Sequence, residues 1–260
     1  MIKSGHMWAT ESRYMNDPRE FLHGADIILQ VIKRIAARPK PPEALLEVRA
    51  NVQRHLEEKL QNVRIFFVSF CTKADLLSQW RGYGDAGGGY ALGVRPGFLF
   101  GPGEAEQPPY RTLLRVIYDR QHQEELVERW AEAVIAGNVP GSDSNFWRFF
   151  SEALISFKDP AFSEEGEWRL VQFGRAWDDR GGQWLHPVQF RERKGEVVPY
   201  ADLDLTRSQE YPGKLPISEI VYGPTLDPER TDKALRLLIE ATGYGPGLIT
   251  LKKSIVPFKP

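Results

Sequence analysis

Hydrophobic positions between Asp26 and Ala37 fall at Ile27, Ile28, Val31, Ile32 and Ile35, the spacing of one helix face. The run "RPKPP" (Arg38 to Pro42) ends that helix, because proline lacks the amide proton and pushes its predecessor out of the α region. A second apolar stripe, Leu45, Val48, Val52 and Leu56, predicts a helix over Glu43–Leu60. "RIFFVSF" (Arg64 to Phe70) is β-branched and aromatic throughout and predicts a buried strand. Strands are also predicted over Tyr90–Val94, Arg115–Asp119, Trp168–Phe173, Val188–Phe190, Glu196–Tyr200 and Ile217–Tyr222, with "LITLKKSIVPF" closing the chain as strand.

Helices are predicted over Gln121–Ala136, with Leu126, Trp130 and Val134 on one face, and over the aromatic run "NFWRFFSEALISFK". "DPERTDKALRLLIEAT" predicts a helix capped by Asp227 with Pro228 in its first turn. Helices cluster early and short strands late, without regular βαβ alternation. The expected fold is therefore α+β, a single domain over 1–260 with a curved, mainly antiparallel sheet and helices packed around it.

Composition narrows the class. The chain has 260 residues, 42% hydrophobic and 27% charged, with 7 Trp, 14 Phe and 9 Tyr, enough to build a core without staples. Its lone cysteine, Cys71, excludes an intrachain disulfide framework and fits a reducing, cytoplasmic setting. A net charge of −1 gives no global field to attract nucleic acid or an acidic membrane. No leader and no membrane span is expected, for want of a long apolar run.

The glycines of "YGDAGGGYALG" lead into a strand, whereas a phosphate loop needs a helix after its glycine turn, so a flexible hairpin loop is the better reading. Five scattered histidines and one cysteine offer no metal-ligand spacing, and no metal is expected. In "YMNDPREF", Asn16 and Asp17 before Pro18 suit a turn capping a helix, or, with Glu20, a polar pocket wall. In "SQWRGY", Trp80 and Tyr83 around Arg81, flanked by two glycines, suit either core packing or a surface that stacks a planar ligand.

The sharpest feature is "SEEGEWRLVQF". Strand alternation puts Glu165, Glu167 and Arg169 on one face. A solvated edge with a Glu167–Arg169 pair explains this, at most ~1 kcal/mol if exposed. A site in which one glutamate holds a sugar hydroxyl and the other polarises a nucleophile explains it too, since converging carboxylates tend to separate in pKa.

Five segments together, "GHMWATESRYMNDPREFLHG", "FFVSFCTKADLLSQWRGYGDAGGGYALGV", "FKDPAFSEEGEWRLV", "EIVYGP" and "SIVPF", resemble the DUF2971 family of uncharacterised bacterial proteins over nearly the whole chain. Members of that family often open with a Tyr-His-Tyr-Thr strand, similar to ADP-ribosyltransferase-like enzymes that grip NAD with an N-terminal His or Arg and carry a late Glu-x-Glu. The expectation here is that this first strand is missing and that Met1 falls inside the helix after it; His6 does not substitute. By analogy of fold, the resemblance implies NAD as substrate, cleaved at the nicotinamide–ribose bond through an oxocarbenium-like state. It implies Glu167 at the reacting ribose, held by Arg169, with Glu165 orienting an acceptor, Ser69 bracing the glutamate, and Trp80 and Tyr83 lining the nicotinamide or base pocket. The acceptor is left open among protein, nucleic acid and water. The other expectation is a non-catalytic ligand- or partner-binding module of bacterial stress or phage defence, with both glutamates structural.

Overall fold

A computed structural model describes residues 1–15, 20–39, 64–84, 88–99, 111–136, 143–173, 188–206, 211–224 and 227–257, with isolated helical positions at Glu43, Leu46, Arg49, Ala50 and Gln53. The chain begins as strand β1 (His6–Glu11), followed by helix α1 (Glu20–Ala36), β2 (Ile65–Cys71) and the short helix α2 (Leu77–Tyr83). Next come β3 (Tyr90–Val94), β4 (Arg111–Arg115), α3 (Arg120–Ile135), α4 (Asp143–Ser156) and β5 (Glu167–Phe173). The hairpin β6 (Val188–Arg193) and β7 (Glu196–Asp204), then β8 (Ile217–Tyr222), α5 (Pro228–Ala241) and β9 (Thr250–Lys253) complete the order.

The strands form a six-stranded sheet, ordered β4-β5-β2-β1-β7-β6, and a three-stranded sheet, ordered β3-β8-β9. The pairs β1/β2, β4/β5, β6/β7 and β3/β8 are antiparallel; β8/β9 is parallel. The fold is α+β with mainly antiparallel pairing.

The chain divides into two compact units. One comprises Met1–Trp8, Cys71–Gln107 and Asp202–Pro260, the other Ala9–Phe70 and Pro108–Ala201. The second unit holds the larger helical core. Ile27, Ile28, Val31, Ile32 and Ile35 of α1 are all buried against Val127, Trp130 and Ala131 of α3 and Phe150 and Leu154 of α4. The stripe that makes α1 a helix in sequence is thus the face it buries. Gly24 lets α1 and α4 touch backbone to backbone: a Cβ there would stand 2.9 Å from the Leu154 Cα. One face of the sheet meets the helices where Ile65, Phe67 and Val171 pack on Ile155 of α4. Because side chains alternate along a strand, Phe66 points to the opposite face, as does Glu11, its partner across the β1/β2 ladder.

Several boundaries differ from the sequence expectation. The strand expected over Arg115–Asp119 lies instead at Arg111–Arg115, in register with β5 so that Leu113 faces Leu170. Beyond it the chain leaves the ladder, and the Ile117 amide donates to the Ser156 carbonyl at the end of α4. "SQWRGY" is helical, with the Gly84 amide closing on the Trp80 carbonyl at 3.1 Å. "HMWATE" near the N-terminus is a strand that the pattern did not announce. In α5, Asp227 caps the helix by accepting from the Arg230 amide at 2.9 Å. The helix expected over Glu43–Leu60 lies mostly outside the described residues.

Candidate functional site

The glutamates are delivered by a short turn. Asp159 caps a 3-10 turn over Pro160–Glu165, accepting from the Ala161 amide at 2.9 Å, and Pro160 supplies the fixed φ of its first position. Gly166 ends it in the left-handed region (φ 51°), which only glycine adopts without steric cost. That reversal starts β5 at Glu167. The Glu167 amide donates to the Tyr118 hydroxyl at 2.9 Å, and its carbonyl accepts from the Val116 amide at 3.0 Å.

Glu167 is buried, with 4% of its surface exposed. Arg169 donates from Nε to one carboxylate oxygen at 2.8 Å and from Nη2 to the other at 2.9 Å. Lys158 Nζ adds a bond at 2.9 Å and reaches Glu165 at 2.5 Å. Ser69, on the neighbouring β2, hydrogen-bonds the same Glu167 carboxylate. Burial works to raise the Glu167 pKa, but Arg169, Lys158 and Ser69 outweigh it and hold it at about 2. Arg169 is itself buried, bonds the Ile155 carbonyl at 2.5 Å through Nη1, and lies over the Phe67 ring at 4.6 Å. The pairing is therefore no solvated edge. Two cations and two carboxylates form a neutral cluster under the helices.

Lys158, which the sequence did not mark, is the hub. Its amide donates to the Ile117 carbonyl, while the buried Gln123 side chain donates to the carbonyls of both Lys158 and Ile117. Burial, and then the nearby Glu167 charge against its amide bond, leaves the Tyr118 pKa raised, so the phenol stays protonated at neutral pH.

The other predicted residues lie as follows. Trp80 is buried, and its indole donates to Asp75 at 2.6 Å; Ser254 and the Ile255 amide donate to the same carboxylate at 2.6 and 2.8 Å. Burial works to raise the Asp75 pKa, but those three donors together outweigh it and leave it lowered. Trp80 thus serves packing and presents no open ring, whereas Arg81 and Tyr83 are exposed, Tyr83 at 67%. All three belong to the first unit, while Ser69, Glu165, Glu167 and Arg169 belong to the second. Asn16 and Asp17 lie outside the described residues, and of Glu20 only its place at the start of α1 is described. Gly89, from the glycine run, leads into β3. Among the described residues no cluster of three or more His, Cys, Asp or Glu could hold a metal, and no helix is long and apolar enough to cross a membrane.

A second feature was invisible in sequence. In the second unit, Arg13, Tyr14, Arg64, Phe66, Val188 and Phe190 line a pocket of about 440 Å³. By strand alternation, Phe66 sets it on the sheet face opposite Glu167 and Arg169.

Residues 79–170 match the family model DUF2971, described as a protein of unknown function. The matched segment takes in Lys158, Glu165, Glu167 and Arg169, so the buried cluster lies within it, while Ser69 and the Arg13 pocket lie outside it. No curated protein and no solved structure matches the chain.

Proposed function

We propose that this protein is a ligand-binding module, and that the Glu165–Glu167 strand is part of its architecture. One observation carries the reading: both oxygens of Glu167 are engaged, by Arg169, Lys158 and Ser69, in a residue 4% exposed. A carboxylate that stabilises a ribosyl cation must come within contact of the sugar. A carboxylate closed in this way is complementary to its own cations. Removing one partner of such a pair leaves an uncompensated buried charge, which makes the cluster a support of the fold.

The test is nicotinamide release from NAD, with and without protein and nucleic-acid acceptors, on the full chain and on Glu167→Gln. The expected outcome is no release, and a lower Tm for Glu167→Gln. Steady release, abolished by Glu167→Gln at unchanged Tm, would overturn the reading.

A second reading, ADP-ribosyl transfer from NAD to a protein or nucleic-acid acceptor, is favoured by Glu165, whose side chain is 21% exposed and reaches Lys158 from the rim of the cluster. In that reading Glu165 is the residue that meets substrate and Glu167 supports it. Glu165→Gln then abolishes nicotinamide release without loss of Tm.

A further inference from the structure

The pocket opposite the buried cluster joins apolar and aromatic walls to two guanidinium groups. Phe66, fully buried on β2, is one wall; Val188 and Phe190 of β6 and Pro199 of β7 are another, with Phe190 opposite Pro199 in the hairpin register. Tyr14 and Phe190 are 41% and 66% exposed. Two guanidinium groups, Arg13 and Arg64, complete the lining among the described residues.

Arg13 is anchored from below. Glu11, with no exposed surface, accepts from the Arg13 amide at 3.1 Å and from its Nε at 2.9 Å. A carboxylate is expensive to bury, and here it fixes the base of an arginine whose side chain remains 39% exposed. Planar guanidinium forks suit phosphate oxygens, while open aromatic faces suit a heterocyclic base. The volume of about 440 Å³ lies at the low end of small-molecule sites, which span roughly 300–1,000 Å³.

From this we infer that the pocket is a binding site for a nucleoside monophosphate. The phosphate is held by Arg13 and Arg64, and the base stacks on Tyr14 and Phe190. Glu11 is a positioning residue, acting through Arg13. The inference rests on the ligand-binding reading above and gives it a site and a ligand class.

The experiment is calorimetric titration of the full chain with AMP, with adenosine and inorganic phosphate as partial probes, on wild type and Phe190→Ala. Phe190 is mostly exposed, so this variant keeps the fold. AMP is expected to saturate one site, with adenosine and phosphate each binding far more weakly, and Phe190→Ala weakening AMP about tenfold at unchanged Tm, the loss that base–aromatic stacking carries. Arg64→Gln is expected to weaken AMP and leave adenosine unchanged. No saturable AMP binding at millimolar concentration overturns the site, as does AMP binding that Phe190→Ala leaves unaltered. If NAD then binds with an affinity indifferent to Phe190→Ala, the pocket fails and the ligand-binding reading stands. If AMP behaves as expected but the protein releases nicotinamide in a Glu165-dependent way, the ligand-binding reading fails and the pocket stands.

Discussion

Arg169 follows Glu167 by two residues on one strand and grips both of its carboxylate oxygens, at 2.8 and 2.9 Å. A strand brings such neighbours to one face, so the pair forms within its own segment, and α4 then buries it through the Ile155 carbonyl. Glu167→Gln is expected to cost about 3–5 kcal/mol, because Arg169 and Lys158 stay buried with half their compensation gone. Arg169→Met is expected to cost a similar amount. The double variant should cost clearly less than the two together. Urea unfolding of the four proteins measures this coupling.

Acid should release the same energy. The Glu167 pKa is held at about 2 in the fold, below its ordinary 4.5, so its contribution is complete above pH 4.5 and is lost as pH falls towards 2. The shift corresponds to about 3 kcal/mol. Glu11 works in the opposite sense. Burial, only partly offset by Arg13, raises its pKa, so its protonation favours the folded state as pH falls. Urea midpoints measured from pH 6 downward should drop in the wild type and drop less in Glu167→Gln.

Among the described residues, Glu165 is held by Lys158, and it keeps 21% of its side chain exposed. Its loss leaves Lys158 still paired with Glu167. Glu165→Gln is therefore expected to cost no more than about 1 kcal/mol. A loss as large as that of Glu167→Gln would show that Lys158 cannot be held by one carboxylate.

Gly24→Ala tests the helix contact. In an isolated helix, alanine would be favoured over glycine by about 1 kcal/mol. Here the new methyl meets the Leu154 backbone at 2.9 Å, so α1 and α4 must separate, at an expected net cost of about 1–3 kcal/mol. Thermal unfolding decides the sign, and a gain in Tm would show that the helices part freely.

What the sequence made legible was local. The α1 stripe from Ile27 to Ile35 became the buried helix face, and the cap at Asp227 began α5 where expected. The common face of Glu167 and Arg169 followed from alternation alone. Their burial did not, because nothing in "EGEWR" announces that α4 will cover it. "HMWATE" escaped because Trp8 and His6 lie on its outer side, and the buried Met7 and Ala9 give a weak signal. For β4, apolar residues continue on both sides of Arg115, at Leu113, Leu114, Val116 and Ile117, and only the partner strand β5 decides which of them are laddered. Lys158 and the pocket residues Arg13, Arg64 and Phe190 come together through tertiary structure, which no spacing rule reports.

The strand order also governs how the chain reaches this fold. β1 and β2 are the first strands to be made, but they occupy the middle of the six-stranded sheet, between β5 and β7. Each therefore carries one outer edge of unpaired amides and carbonyls until residues 167–173 and 196–204 have been made. At a synthesis rate of ~5–20 residues per second, β1 and β2 wait several seconds for these neighbours. Closing loops of that length before any reward makes folding slow. The exposed edges of β1 and β2 are then the segments on which a chaperone, or a second nascent copy, would pair first.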